Sequence, residues 1–418
     1  MDSAPSRRTF LAALGAPFVG LAGCTGEMPW EEELRGPGGE YRPEGVTGSE
    51  ITQPAIARGE LLDDFAEPGV WSAMAGERSG TDERALVGER ALRVTNAEGT
   101  RAGVYRSFAE PIDLGARHLS VALAPASPAG ATVTVELHAP TAEHSLRATR
   151  RLPREFDDWI RLDAGYTARQ GEPDHTSVEG IRIWVDGADD DRIEFALDDL
   201  RTTPSEGAGG AILVFEGGPE SAYDEIVAIL EEAGVAGTLA VRPSRIDEPG
   251  GLALSRLQSV RDAGWDVASY PLRNDPLPDL TATEQRAVIE ADHRTLVDHG
   301  FEGGARHFVA PAHRLDPTSL EVVREVHRTG FVFGGAPNAF PPSDPHTISA
   351  ADGTDSGVVK RLVELAVEYD QLLVLRFGTL TPGAEDTAST AYLRELVAFL
   401  VAREIDVLTP SGLLDTMD

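Results

Sequence analysis

From residue 55 to about residue 203, apolar and polar residues alternate with a period of two. Val133, Val135 and Leu137 fall on one side of a segment whose other side carries Thr132, Thr134 and Glu136. Ile181, Ile183 and Val185 repeat the pattern, as do Ile193, Phe195 and Leu197. Successive side chains of a strand point to opposite faces, so such runs predict half-buried strands. Turn sequences such as Pro128-Ala129-Gly130 and Asp186-Gly187 separate them. Several strands without long helical stripes between them predict a β-sandwich.

The rhythm changes at residue 209. Ala211 to Phe215 is a continuous apolar run, the pattern of a strand buried on both faces. Pro219 then opens a helix in which Tyr223, Ile226, Val227 and Leu230 share a stripe, and Gly234 closes it. Further strands are predicted at 237–242, 266–270, 306–310, 331–334, 372–377 and 405–408. Helices are predicted near 252–263, 283–299, 317–329, 356–369 and 390–403. Strands alternating with helices imply a parallel sheet, and seven or eight such units imply a barrel with its chemistry at the C-terminal ends of the strands. The expected fold is therefore multidomain, a β-sandwich at 55–203 followed by an α/β barrel of the (β/α)7 type at 209–418.

Composition changes the picture at the N-terminus and on the surface. Ser6-Arg7-Arg8-Thr9-Phe10-Leu11 resembles a twin-arginine export signal, and Leu21-Ala22-Gly23-Cys24 resembles a lipobox, in which the cysteine is lipidated. The apolar run between them, Phe10 to Ala22, is shorter than the roughly 20 residues of a membrane span and suits a signal segment. Residues 1–24 are thus expected to be a signal. Residues 25–54, rich in Gly, Pro and Glu, read as a tether to a lipid anchor on the outer face of the cell membrane. Cys24 is the only cysteine, which excludes disulfides within the chain and cysteine-based zinc sites. With 37 basic and 69 acidic residues the net charge is −32. That excludes a phosphate-tracking nucleic-acid binder and suits a surface adapted to high salt.

The C-terminal half carries an ordered set of scaffold motifs: Leu213-Val-Phe-Glu-Gly-Gly-Pro219, Ala236-Gly237-Thr238-Leu239, Ala263-Gly264-Trp265-Asp266-Val267-Ala268-Ser269-Tyr270, Phe308-Val309-Ala310-Pro311, Leu373-Val-Leu-Arg-Phe-Gly378 and Ile405-Asp-Val-Leu-Thr409. In order and spacing this resembles the polysaccharide deacetylases, the nodulation-deacetylase-like carbohydrate esterases. The resemblance implies removal of acetyl groups from N-acetylated sugars by a divalent metal held by one Asp and two His, with a carboxylate base and a histidine acid. The motifs themselves depart from that pattern. Glu216 falls on the base position and Gly217 on the metal-binding Asp. Tyr270 and Asn274 stand at the two metal histidines. Val309 replaces an arginine before Pro311, and Gly378 replaces the acid. Phenol, amide and glycine do not substitute for an Asp and two His at a divalent ion.

The expected reading is a barrel that has lost its metal site and binds an envelope polysaccharide in a polar cleft lined by Glu216, Tyr270, Asn274 and Arg376. His313 and Asp275 stand nearby. Such a cleft suits a neutral glycan, and no cofactor is expected in it. A rearranged metal site from Glu216, Asp275 and His313, giving an active N-acetyl-sugar deacetylase, is the alternative; a structural lipoprotein whose barrel binds another protein is a third reading. The sandwich begins and ends alike, Leu62-Asp63-Asp64-Phe65 and Leu197-Asp198-Asp199-Leu200. In this it resembles carbohydrate-binding jelly-roll modules. There Trp71, Trp159 and Trp184 are candidates for stacking on sugar rings, and Asp63, Asp64, Asp198 and Asp199 for a structural Ca²⁺.

Overall fold

The computed structural model describes residues 58–187, 192–216, 220–249, 251–380 and 389–417. Residues 1–57, with Cys24 and the expected tether, and residues 217–219, with Gly217 and Pro219, lie outside them.

Two six-stranded antiparallel sheets come first. One runs Glu77–Thr81, Ala91–Asn96, Ile193–Pro204, Arg117–Ser127, Ile160–Asp163, with Glu60–Asp63 also paired to Ile193–Pro204. The other runs Ala168–Gln170, Ser145–Arg151, Thr132–His138, Val178–Asp186, Arg101–Ile112, Ser72–Ala75. The period-two pattern does what it predicts: Val133, Val135 and Leu137 enter the core with Ile181, Ile183, Val185, Phe195 and Leu197. The two similar ends of the segment lie side by side, with Asp63 opposite Leu200.

A closed parallel barrel follows. Its strands, in order, are Gly210–Glu216, Thr238–Val241, Asp266–Ser269, His307–Val309, Thr329–Phe333, Ile348–Asp352 and Leu372–Phe377, and the first pairs with both the second and the last. The first and last strands are buried along nearly their whole length, which explains their unbroken apolar runs.

One barrel strand departs from the sequence expectation. Ile348–Asp352 has mostly small side chains and gives little hydropathy signal, yet it is the sixth stave. The predicted strand at 405–408 shrinks to Asp406–Val407 and stays outside the ring. The first strand has its partners on both edges, and only Gly210 and Ala211 remain to accept it. The helix predicted to 329 stops at Val326 because His327 is extended and feeds the fifth strand.

The apolar core of the sandwich does not end at residue 203. Phe156, Tyr166 and their neighbours form one continuous cluster with Leu277, Ile289, Phe308, Leu315, Leu320, Leu365 and Tyr369 of the barrel. Buried polar contacts cross the same seam. Arg150 donates to Pro337 O at 3.0 Å and to Asn338 Oδ1 at 3.3 Å, and Tyr166 N donates to Gln371 Oε1 at 2.9 Å. At Gly165 a Cβ would stand 1.8 Å from Pro337 O, so only glycine allows the two backbones to meet.

Candidate functional site

The C-terminal ends of the strands bring Glu216, Tyr270, His313 and Arg376 to one mouth. Glu216 ends the first strand, and Arg376 lies near the end of the neighbouring seventh. The Arg376 guanidinium, 3% exposed, donates through Nε to Glu216 Oε1 and through Nη2 to Ala310 O at 3.1 Å. Its Nη1 has no partner. Tyr270 follows the third strand and is buried. Burial, and then the charge of Glu216 and the hydrogen bond to it, push the phenol up to about 12. Tyr270 is therefore a neutral hydroxyl that donates to the carboxylate at any ordinary pH.

His313 sits in the turn after the fourth strand, where Ala312 and His313 both take left-handed backbone angles, φ 50° and 59°. Two adjacent non-glycine residues in that region are strained. Although part of His313 is exposed at the mouth, burial of the ring and the adjacent Arg376 charge lower its pKa to about 4, against a smaller opposing pull from Glu216 and Asp352. It is a neutral imidazole at neutral pH. Beside this group lies a cavity of about 160 Å³ lined by Tyr223, Arg242, Arg245, Ile246, Leu257 and Tyr270. Tyr223 too is pushed up to about 12, by burial and then by the charge of Glu216.

Asn274 and Asp275 are exposed on the loop after Tyr270, whose anchor is the pair of Arg273 with buried Asp292 at 2.6 Å. Gly378 is exposed, Val309 is buried in the barrel, and Gly217 lies outside the described residues. Among the described residues no group of three His, Cys, Asp or Glu side chains converges to hold a metal, which includes Glu216, Asp275 and His313. The donor set does not fit a divalent cation either. Its one buried carboxylate is already paired, and the group paired to it is itself a cation.

Of the other histidines in this half of the chain, His293, His307, His327 and His346 are buried and His299 is half-buried. His293 and His327 are buried and share Ala305 O, each at 2.9 Å. His307 is fully buried at the opposite end of the barrel, held by Thr329 Oγ1 at 2.8 Å and Ser411 Oγ at 3.1 Å, with Ser411 also donating to Asp266 Oδ1 at 2.7 Å. This cluster fastens the C-terminal helix, Pro410–Met417, under the barrel floor.

Residues 205–331 match the family model of polysaccharide deacetylase. The barrel is polysaccharide deacetylase-like. Among solved structures, a family 4 carbohydrate esterase from Streptomyces lividans in complex with acetate is 14% identical, covers 48% of this chain and 94% of its own, and has a TM-score of 0.35. A peptidoglycan deacetylase from Bacillus subtilis is 14% identical over 50% of this chain and 92% of its own, with a TM-score of 0.35. A family 11 carbohydrate-binding module from Clostridium thermocellum is 12% identical over 35% of this chain and 94% of its own, with a TM-score of 0.28. No curated protein matches the chain. The deacetylase-like match contains Glu216, Tyr270 and His313 but stops before the strand that supplies Arg376.

In the sandwich the four candidate Ca²⁺ ligands have other partners. Asp63 accepts from Trp71 Nε1 at 2.8 Å and from Arg106, and Asp64 accepts from Ala66 N at 3.0 Å. Asp198 accepts from the backbone of Leu86 and Val87 at 2.7 and 3.1 Å. Asp199 is held between Arg161 and Arg201. Trp71 is core, stacked on Phe65 at 4.9 Å, and Trp159 is half-buried. Trp184 alone of the three stands against a cleft, on the outer face of the second sheet.

Proposed function

We propose that this protein is a lipid-anchored envelope lipoprotein whose deacetylase-like barrel binds a glycan without hydrolysing it. The observation that carries this reading is the buried pairing of Glu216 with Arg376. A base must be free to take a proton from water, and this carboxylate is held by a guanidinium and a phenol. A metal lowers the pKa of bound water from about 15.7 to about 7, worth on the order of 10 kcal/mol of nucleophile activation. A single general base contributes about 10²–10⁴-fold, roughly 3–5 kcal/mol, and does not close that gap. What the mouth offers is recognition: the neutral imidazole of His313, and a cavity of sugar-ring size lined by Tyr270, Tyr223 and the exposed guanidiniums of Arg242 and Arg245.

The test is acetate release from N-acetylated oligosaccharides, with and without added divalent metal. None is expected. Metal-dependent release that disappears in Glu216→Gln overturns the reading in favour of an active deacetylase. The anchor is tested separately. Cys24→Ser should move the protein from the membrane fraction to the soluble one, and an unchanged distribution removes the lipid anchor.

A further inference from the structure

The outer face of the second sheet holds a cleft of about 280 Å³ that is separate from the barrel mouth. Its walls are mostly polar: Arg101, Glu136, Arg147, Gln170, Arg182 and Trp184. These residues come from five strands, and the ladder sets them together, with Glu136 opposite both Arg147 and Arg182. Glu136, only 4% exposed, accepts from Arg147 Nε at 3.0 Å and Nη2 at 2.6 Å, from Arg182 Nη1 at 3.3 Å, and shares a hydrogen bond with His138 at 3.1 Å. Despite burial, Arg147 and His138 hold its carboxyl below the usual range. It is an ionised anchor whose task is to fix guanidiniums.

Those guanidiniums are not used up. Arg101, Arg147 and Arg182 have side chains 48%, 45% and 38% exposed. Arg101 gives Nε to Asp186 at 2.6 Å, and neither it nor Arg147 shows a bond from Nη1. The three cations face two carboxylates, Glu136 and Asp186, so the cleft carries a net positive charge on a chain of net charge −32. Trp184 settles which kind of ligand this suits. Gly103 stands opposite Trp184, and a Cβ there would come within 2.5 Å of Trp184 Cβ, so only glycine leaves room for the indole. Arg101 covers the ring at 4.9 Å and Arg147 approaches it at 6.0 Å. A ring occupied by guanidiniums is a platform for cations, not a free face for a neutral sugar.

The geometry points to a binding site for a carboxylated polysaccharide on this face, with Arg101, Arg147 and Arg182 taking the sugar carboxylate and ring hydroxyls. The fixed forks of Arg147 and Arg182 suit a planar carboxylate, and Gln170 adds an uncharged donor and acceptor. This site rests on the sandwich alone and not on the reading of the barrel.

The test is binding of the full chain to polygalacturonate, with its fully methyl-esterified form as the neutral partner of the same backbone. Retention on the acid form should exceed that on the ester by about tenfold or more, and Arg147→Gln and Arg101→Gln should each weaken it by about fivefold or more. Arg101→Gln removes an exposed pair and the guanidinium over Trp184 but leaves buried Glu136 with all its partners, so it reads binding even if Arg147→Gln disturbs the fold. Arg403→Gln, which breaks an exposed pair with Glu364 at 3.0 Å outside both sites, should leave retention unchanged. Equal binding of acid and ester, or retention that survives both arginine variants, overturns the site. A loss in Arg403→Gln as large as in the two cleft variants marks general charge attraction and also overturns it.

Discussion

Two carboxylates, half-buried Glu216 in the barrel mouth and buried Glu136 on the sandwich face, are both held by arginine, and the outcomes differ. Arg376 is almost fully buried, so pairing with Glu216 completes a closed, nearly neutral group in the barrel interior. Arg147 and Arg182 are about half exposed, so pairing with Glu136 fixes one side of each guanidinium and leaves the other facing solvent. The same pair of residue types acts as a lock in one place and as a mount in the other. Solvent access decides which. A buried guanidinium has no competing water and holds its partner tightly, whereas a half-exposed one keeps donors for a ligand.

The sharpest way to break this comparison is to remove one arginine from each. Arg376→Met leaves Glu216 as an unpaired, mostly buried carboxylate and should cost about 3–5 kcal/mol, while Arg147→Gln should cost about 1 kcal/mol or less. Urea unfolding of both variants measures this, and equal losses would dissolve the distinction between lock and mount. Adding Glu216→Gln to Arg376→Met should recover much of the loss, because the stranded charge is gone.

Acid separates the two regions more gently. His307, under the barrel, has its pKa lowered to about 4 by burial, with the Asp266 charge opposing. A histidine that is harder to protonate when folded leaves the unfolded state holding more protons between about pH 6.5 and pH 4, so stability falls as pH falls through that window. From pH 7 to pH 5 this one group removes about 2 kcal/mol. His175, at the seam, is also lowered to about 4 by burial and adds to the loss, whereas Asp198, raised to about 6 by burial, opposes it. Glu136 is lowered, so its contribution holds until the pH drops below the ordinary carboxylate range. Thermal melts at pH 7 and pH 5 should therefore differ, and His307→Asn should reduce the difference. An identical melting temperature at both pH values would contradict the assignment.

Much of the architecture was legible in the chain because burial writes a period. The alternation at 132–137 and 181–185 specified strands and the side that enters the core, although Thr134 and Glu136 on the other side are buried too, and the continuous runs at 211–215 and 372–377 specified central barrel strands. Ile348–Asp352 was not legible, because a strand of small residues packs as well as one of large residues but shows less hydropathy. At the site, Glu216, Tyr270 and Arg376 could be gathered in advance because each follows or ends a predicted barrel strand. Their pairing could not, because it depends on the ring closing between the first strand and the last. Asn274 and Asp275 follow Tyr270 closely in sequence and are exposed on its loop. The sandwich cleft left a faint signal, charges at the outward positions Glu136 and Arg182. Joining them required the register of strands more than forty residues apart, Glu136 with Arg182.

The seam between the sandwich and the barrel has a consequence for how the molecule comes apart. A cluster that runs from Phe156 and Tyr166 into Leu315 and Tyr369 joins the two halves in one apolar core, and the buried hydrogen bonds of Arg150 and Gln371 cross the same seam. Gly165 against Pro337 leaves no slack for a hinge. Residues 58–417 are therefore built to melt in a single transition. Amide protons deep in the sandwich and deep in the barrel should be released by one common opening event, despite the change of topology near residue 205.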